Sequence, residues 1–414
     1  MNQDSKTFCI LPFVHLYSEP KGELKPCCIA GGFDEPVSLK NLSIEDAFNS
    51  PQMKELRKDM LEGKRNKVCD VCYKKEDLNN HSPRLMFNNN TLWEMPKVNE
   101  DFSVDPNFQH VDVRFSNLCN FKCRMCTFEF SSNWYEDIKK LHPSSLIDTP
   151  KVLRISENIV EDLKPHLKNL KSIYFAGGEP LIMPEHFELL KFLYENTPIS
   201  DDLKLRRLSI HYNTNLSVIK YDEKSLLDFW KGFTRVLLSI SCDGIGKVGE
   251  YQRVGFNHDN FVKNLNNIKK YFEPTKVSDL FIGCRYNFQY TTTIYNVYHI
   301  FDFIDFMMEN EYITETSQID FYYAWGPEVI SLKNITDVEK NRVIEFLNNG
   351  LIVNQLDDKT VNEIKSLINF INLPQSITPN QMYDYVYQLD YFNNTSYKDI
   401  GGIHFDSMLK KSLI

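Results

Sequence analysis

The sequence predicts an α/β protein in three parts: a small N-terminal cysteine-rich domain, a partial (β/α)6 barrel and a C-terminal helical extension. Eight of the ten cysteines fall within the first 126 of 414 residues. From about residue 108, six short apolar runs typical of strands alternate with patterns typical of helices. After about residue 330 the pattern is helical and polar. We therefore predict domains at residues 1–105, 106–328 and 329–414.

Composition and charge exclude several classes of protein. The chain is 42% hydrophobic and 25% charged, and it has no apolar run near the roughly 18 residues of a membrane helix. This excludes a membrane-spanning or disordered protein. The net charge of −9 argues against a generally basic surface, so we expect neither a membrane nor a nucleic-acid partner. The opening run MNQDSKTF does not resemble a secretory signal, so we expect a cytoplasmic location.

The first hundred residues show no regular alternation of strands and helices. The Pro-Lys-Gly run at residues 20–22 predicts a hairpin turn between two short apolar runs. The run from about Ser50 to Gly63 predicts a helix, because apolar residues recur there at helical spacing. The apolar face is expected to carry Met53, Leu56, Met60 and Leu61. We therefore expect a small domain organised by metal rather than by a large core.

Six runs with strand character support the barrel prediction. They are Val111–Phe115, Ser172–Phe175, Leu208–Asn213, Arg235–Ser241, Leu280–Asn287 and Ile319–Ala324. The helical patterns between them include Glu185–Glu195, Asp259–Tyr271 and Val297–Met308. Such alternation implies right-handed βαβ crossovers and a parallel sheet. Because six strands are fewer than the eight of a closed barrel, we predict an open, TIM-like barrel.

In such a fold the functional residues follow the carboxyl ends of the strands. Four motifs of this sequence lie at these positions. They are CNFKCRMC at residues 119–126 after the first strand, GGEP at 177–180 after the second, NTN at 213–215 after the third, and SCDG at 241–244 after the fourth.

The first of these motifs carries a C-x3-C-x2-C spacing of Cys119, Cys123 and Cys126. Three thiolates on one tight loop can hold three corners of a [4Fe–4S] cluster, which leaves one iron without a protein ligand. An open iron can bind a substrate or cosubstrate rather than only carry electrons. By contrast, Cys242 and Cys284 lie in strand-like runs and are predicted to be buried core thiols.

A second group of cysteines lies in the N-terminal part. Cys9, Cys27, Cys69 and Cys72 can saturate either a second iron–sulfur cluster or a structural zinc ion, and the spacing alone does not choose between them. The adjoining three-cysteine loop favours iron. Cys28, which is next to Cys27, could take its place as a ligand.

These motifs, in this order, resemble the radical S-adenosylmethionine (radical SAM) superfamily, and the resemblance spans roughly residues 110–325. The resemblance implies that S-adenosylmethionine (SAM) chelates the open iron through its amino and carboxylate groups. It also implies that one electron from the reduced cluster cleaves SAM to methionine and a 5′-deoxyadenosyl radical. That radical would then abstract a hydrogen from the substrate.

The resemblance assigns the GGEP run, residues Gly177, Gly178, Glu179 and Pro180, to SAM binding. Glu179 would offer its carboxylate to the methionine ammonium group. The two glycines would let the backbone approach SAM more closely than a side chain allows, and Pro180 would fix the exit of the turn.

The resemblance extends to two further pairs of ligands. Asn213 and Asn215 would hydrogen-bond the ribose hydroxyls, although asparagine-rich loops are common in this chain. Ser241 and Arg253, the latter in the run EYQRVG, would bind the SAM carboxylate, the alternative for Arg253 being a surface position. One departure is Met125, because the residue before the third cysteine is often aromatic in this family.

The N-terminal pattern resembles the auxiliary-cluster domains called SPASM and twitch. Its four cysteines fit the shorter twitch version, with one auxiliary [4Fe–4S] cluster, so two clusters are expected in all. In most relatives this domain follows the barrel, whereas here it precedes it. The auxiliary cluster would accept an electron from a substrate radical or fix the domain.

The sequence therefore predicts a radical SAM enzyme that acts on a peptide or a small metabolite. The resemblance implies an external one-electron reductant such as flavodoxin or ferredoxin. An alternative is a non-catalytic iron–sulfur or zinc-binding scaffold or electron-transfer protein on the same fold. The sequence identifies no catalytic acid or base beyond the cluster, and it assigns no role to the C-terminal region.

Overall fold

The computed structural model describes residues 6–141, 144, 148–221, 224–277 and 279–400. The chain divides into two compact units. Unit 1 contains residues up to 118, 152–211 and 232–234, and unit 2 contains residues 119–151, 212–231 and those from 235 onward. The predicted strand Leu208–Asn213 therefore contributes residues to both units.

The strands of the described residues are β1 (His15–Ser18), β2 (Glu23–Lys25), β3 (Val37–Ser38), β4 (His110–Val113), β5 (Lys122–Cys123), β6 (Ser172–Phe175), β7 (Arg206–Thr214), β8 (Lys220–Tyr221), β9 (Lys224–Ser225), β10 (Phe233–Ser241), β11 (Arg253–Val254), β12 (Glu273–Pro274), β13 (Gly283–Thr292) and β14 (Ile319–Tyr323).

The α-helices of the same residues are α1 (Leu11–Val14), α2 (Ile44–Phe48), α3 (Pro51–Leu61), α4 (Asp70–Asp77), α5 (Pro83–Asn88), α6 (Tyr135–Leu141), α7 (Ile159–Leu163), α8 (Pro184–Asn196), α9 (Leu226–Trp230), α10 (Gly246–Gln252), α11 (His258–Lys269), α12 (Ile300–Glu309), α13 (Asp337–Val353), α14 (Asp358–Ile371) and α15 (Pro379–Asn393).

In unit 1 the strand order is β3-β2-β1-β4-β6-β7. Strands β1 and β2 form the predicted antiparallel hairpin, whose turn contains Gly22 at φ +89°, a conformation that favours glycine. On its other side β1 runs parallel to β4, with His15 opposite His110. The N-terminal hairpin thus extends the sheet that β4 and β6 form in parallel.

The apolar spacing in helix α3 predicts most, but not all, of its buried residues. Ser50 caps it by accepting a hydrogen bond from the backbone of Met53, and Gly63 follows its end at φ +77°. Met53, Leu56 and Met60 are buried as predicted, and burial of each contributes roughly 1.5–3 kcal/mol. The assignment of Leu61 to this face is wrong, because its side chain is 46% exposed at the last turn.

In unit 2 the central strand is β13, which runs parallel to β10, β12 and β14. The predicted strand Leu280–Asn287 begins too early, since Leu280 is 91% exposed and β13 starts at Gly283. The predicted helices at residues 185–195, 259–271 and 297–308 correspond to α8, α11 and α12. The mostly parallel α/β fold with a helical C-terminal region is confirmed.

Helix α14 covers the free edge of β14. The backbone N–H of Phe321 donates to Glu363 Oε2 at 3.1 Å, and Lys359 Nζ donates to the carbonyl oxygens of Ser317 and Ile319 at 2.8 and 2.9 Å. These side chains satisfy edge groups that a further strand would otherwise pair with. Within the described residues, no pairing of strands closes a barrel.

Among the helices of the described ranges, none combines the length and the apolar character that crossing a membrane requires.

Candidate functional site

The three-cysteine loop is fixed by hydrogen bonds within unit 2. The backbone N–H of Cys126 donates to the carbonyl oxygen of Cys123 at 2.9 Å, which closes a tight turn. Trp134 Nε1 donates to the same carbonyl at 3.1 Å, and Ser131 Oγ donates to the carbonyl of Phe121 at 2.6 Å. These hydrogen bonds hold the backbone of the loop in a defined shape.

A short ladder places Arg253 beside this loop. Strand β11 pairs antiparallel with β5, so that Arg253 lies opposite Cys123. Arg253 Nη1 donates to Cys123 Sγ at 3.7 Å, and its Nε donates to Asp243 Oδ2 at 2.6 Å. Asp243 is fully buried, and its other oxygen accepts from the backbone N–H of Thr291 at 2.7 Å. A positive charge is thus fixed against a candidate cluster ligand.

The role of Asp243 was not predicted. It belongs to the SCDG run that follows β10, so its position after a strand was a signal for function. What the sequence alone did not provide is its partner, since Arg253 lies on a different element.

The GGEP run packs in unit 1 against the residues that lead into the loop. A Cβ atom at Gly178 would lie 2.0 Å from the carbonyl oxygen of Leu118, and Gly177 has φ +110°. Both positions therefore require glycine. The N–H of Glu179 donates to that same carbonyl at 2.8 Å, and its buried carboxylate accepts from the N–H of Leu181 at 3.0 Å. Pro180 opens the short 3₁₀ turn that follows.

The predicted ribose ligands differ in their surroundings. Asn213, near the end of β7, has a buried Oδ1 atom with no hydrogen-bond partner, which leaves an acceptor for a ligand hydroxyl. Asn215 is already engaged, because its Nδ2 donates to Asn120 Oδ1 at 3.0 Å and its Oδ1 accepts from the N–H of Ser217. Ser241 ends β10, opposite Gln289 of β13.

The N-terminal cysteines line one pocket in unit 1 with an empty volume of about 400 Å³, part of which is open to solvent. Its lining residues include Cys9, Cys27, Cys69 and Cys72 together with apolar side chains from α1 and residues 26–30. Cys28 is exposed and does not line it, which favours Cys27 as the ligand. The four predicted ligands, drawn from three separate segments, are thus brought together.

Burial makes three of these thiols, those of Cys9, Cys27 and Cys69, hard to ionise without a bound cation. It raises the pKa of Cys9, and it raises the pKa values of Cys27 and Cys69 to about 12. The neighbouring cysteines act in the same direction, because two thiolates repel each other. Metal binding supplies the positive charge that such a site needs, which fits a metal site.

In the described part of the chain, no three or more His, Cys, Asp or Glu side chains form a group that could hold a single metal ion. The donors of the pocket and of the loop are all thiols, which are the usual ligands of a [4Fe–4S] cluster, and such a cluster spreads its cysteine ligands over several irons. Cys242 and Cys284 are buried, as expected of core thiols.

Two protein-family models match parts of this chain. The model of the radical SAM superfamily matches residues 113–294, and that of the SPASM iron–sulfur cluster-binding domain matches residues 9–73. No curated protein matches the chain.

Two solved structures are similar to this chain at low sequence identity. Native anSMEcpe with bound AdoMet (SAM) is 16% identical with a TM-score of 0.36, and the match covers 68% of this chain and 60% of that one. Streptococcus suis SuiB bound to precursor peptide SuiA is 15% identical with a TM-score of 0.33, over 72% and 63% of the two chains. This chain therefore spans about 60% of the length of the first solved structures that it matches.

Proposed function

We propose that this chain cleaves SAM reductively at a [4Fe–4S] cluster, because the model of the radical SAM superfamily matches residues 113–294 and that of the SPASM domain matches residues 9–73. The cluster ligands are Cys119, Cys123 and Cys126. The radical formed from SAM abstracts a hydrogen atom from a peptide or a small-metabolite substrate. An external one-electron reductant such as flavodoxin or ferredoxin supplies the electron.

The observation that carries this proposal is the hydrogen-bonded loop with Arg253 against Cys123. Three thiols from one tight loop leave one iron of a four-iron cluster open. When bound, the cluster supplies the electron and SAM supplies the radical. The chain itself contributes a fixed positive charge beside Cys123, which draws an anionic ligand group toward the loop.

The remaining SAM ligands are assigned in the same way. Gly177 and Gly178 keep side chains away from the strand end, so that an amino-acid moiety can meet the backbone directly. Glu179 supplies a negative charge for the methionine ammonium. Asn213 offers its unpartnered Oδ1 to a ribose hydroxyl, and Ser241 stands at the end of β10 for the carboxylate.

We assign the second cluster to Cys9, Cys27, Cys69 and Cys72, with residues 1–105 as the auxiliary domain, 106–328 as the radical SAM core and 329–414 as the C-terminal region. Four thiolates saturate a four-iron cluster, so this cluster has no open iron for a substrate. Its roles are therefore electron transfer or stabilisation of the domain.

The direct test is to reduce the anaerobically purified protein with dithionite, add SAM and measure 5′-deoxyadenosine. We expect the product to form in a cluster-dependent manner. Absence of product from protein that carries its full iron would favour a non-catalytic iron–sulfur scaffold instead. A candidate peptide encoded beside this chain, with deuterium at the reacting carbon, would identify the substrate class by transfer of the label to 5′-deoxyadenosine.

Metal analysis of the same preparation tests the second site. Two four-iron clusters give about eight irons per chain, whereas one cluster with a structural zinc gives about four irons and one zinc.

A further inference from the structure

Arg124 is the first of the two residues between the second and third cysteines of the loop, and it is almost completely buried. Its backbone N–H donates to the carbonyl of Gln252 at 2.8 Å, and its Nε donates to the carbonyl of Tyr251 at 2.9 Å. The guanidinium group also lies 3.8 Å from the centroid of the Tyr251 ring. The side chain of a loop residue is thus directed into the protein rather than toward solvent.

The counter-charge comes from the C-terminal helix α15. Arg124 Nη2 donates to Asp390 Oδ1 and to Thr395 Oγ1, both at 2.7 Å. Asp390 is buried, and it also closes the end of its own helix, because its oxygens accept from Thr395 Oγ1 at 2.9 Å and from the N–H of Tyr397 at 2.8 Å. The end of α15 and the cluster-binding loop therefore share one buried hydrogen-bond network.

A second link joins the same two segments. Lys122, on the other side of Cys123, pairs with Asp137 at 2.5 Å. Asp137 in turn accepts from Asn393 Nδ2 at 3.4 Å, at the last residue of α15. Both neighbours of Cys123 in sequence thus connect to the C-terminal helix.

From this network we propose that α15 positions the cluster-binding loop through the buried pair of Arg124 and Asp390. The proposal rests on the proposed function in one respect, namely that the loop holds a cluster. A buried charge without its partner is strongly unfavourable, so the loop adopts the conformation in which Arg124 reaches Asp390. That conformation sets the backbone between Cys123 and Cys126.

The proposal gives a role to a region for which the sequence offered none. Helix α15 lies well beyond residues 113–294, where the superfamily model matches. In this chain, helix α15, which lies outside the matched range, would help to position the cysteine ligands that lie inside that range.

The test compares Asp390→Asn with wild type and with Asp384→Asn, an exposed acid on the same helix that serves as matched control. Iron is measured per chain after anaerobic reconstitution, and its release to a chelator is followed with time. In Asp390→Asn we expect loop iron to be released on the order of 10-fold faster, because outer-shell changes weaken metal sites by that amount. The auxiliary iron, about four atoms per chain, should be retained, and Asp384→Asn should behave as wild type.

A spectroscopic measurement distinguishes an effect on the position of the cluster-binding loop from a general loss of stability. Addition of SAM to the reduced wild-type protein should change the electron paramagnetic resonance signal of the loop cluster. In folded Asp390→Asn we expect that change to be reduced, whereas the auxiliary signal stays the same. Equal iron release and an equal response to SAM in Asp390→Asn and wild type would overturn the proposal.

If Asp390→Asn does not fold, Thr395→Val decides, because it removes one neutral partner of Arg124 and leaves the charge pair in place. We expect faster iron release in this variant as well, by a smaller factor, and a rate equal to wild type would overturn the proposal. If the proposed function is wrong, the experiments give a different result. In that case the wild-type protein retains its loop iron but gives no 5′-deoxyadenosine, while the difference between Asp390→Asn and wild type in chelator release persists.

Discussion

The two cysteine sites of this chain differ in how their ligands are supplied. The loop takes Cys119, Cys123 and Cys126 from eight consecutive residues and shapes them with local hydrogen bonds. The N-terminal pocket takes its four thiols from three separate segments, so it depends on the fold of unit 1. A local site can form early and keep an iron open, whereas a site from distant segments ties its domain together.

The charges near the two sites differ as well. Arg253 donates directly to a cysteine sulfur of the loop. In the pocket, Arg84 pairs instead with Glu76 and donates to the carbonyl oxygen of Phe8 at 2.6 Å. Hydrogen bonds to cluster sulfurs and solvent exposure are two separate means of setting a reduction potential. We therefore expect the hydrogen bond from Arg253 to act on the reduction potential of a cluster held by the loop.

The largest expected effect is that of Cys123→Ala. Removal of the buried central ligand should abolish the loop cluster and reduce formation of 5′-deoxyadenosine to background, with iron falling from about eight to about four atoms per chain. Product is measured by chromatography and iron by colorimetric assay. Cys242→Ala removes a buried thiol outside both sites and should keep the full iron content.

Cys72→Ala should remove the cluster of the N-terminal pocket and leave the loop cluster in place. Iron again falls to about four atoms per chain, but SAM cleavage should persist in part, because the loop keeps its ligands. Substrate turnover or thermal stability should decrease. Cys28→Ala is the matched control, since Cys28 does not line the pocket. Complete loss of SAM cleavage in both Cys123→Ala and Cys72→Ala, with both proteins folded, would contradict the division of labour.

Arg253→Met tests the charge at the loop. Loss of a positive charge beside Cys123 should lower the reduction potential of the loop cluster, measured by redox titration, and should weaken SAM binding. It also leaves Asp243 buried without its partner, at a cost of about 3–5 kcal/mol. The double variant with Asp243→Leu removes both charges and should recover stability without recovering the potential.

Gly178→Ala should cost about 1–3 kcal/mol, because the added Cβ atom overlaps the carbonyl oxygen of Leu118 and forces the backbone to move. Affinity for SAM, measured by calorimetry, should fall while the iron content stays near wild type. A Cβ at Gly326 meets no atom within 4 Å, so Gly326→Ala is the matched control. An unchanged affinity of Gly178→Ala for SAM would show that the GGEP turn is not part of the SAM site.

The smallest expected effect is on stability alone and should leave both iron sites intact. Burial raises the pKa of Glu363 from 4.5 to about 7, against the lowering effect of Lys359. The charged form therefore destabilises the fold, and this penalty grows as the pH rises from about 4.5 through about 7. Glu363→Gln should stabilise the protein by about 1–2 kcal/mol at pH 8 and by less at pH 6.

Thermal melting of Glu363→Gln at pH 6 and pH 8 checks the expected direction of this pH dependence. Glu345→Gln is the control, because Glu345 is exposed. A larger gain at pH 6 than at pH 8 would contradict it.

What could be predicted from the sequence was mostly local. The strand of residues 172–175 and the helix capped by Ser50 depend on neighbouring residues, and both are observed. The end of a helix is harder to predict from periodicity, because Leu61, the last residue of α3, is exposed although it shares the apolar spacing. Pairings between distant residues, such as that of Arg124 with Asp390, leave no periodic signal in the sequence.

The parallel pairing of β1 with β4 also bears on how the protein is made. Strand β1 is synthesised long before β4, so the hairpin of β1 and β2 emerges from the ribosome with one edge unpaired. An unpaired edge is a template for association with other chains. The same edge would be exposed in a fragment cut at residue 105. Expression of the N-terminal part alone should therefore give aggregation-prone material, and co-expression of the remainder should relieve it.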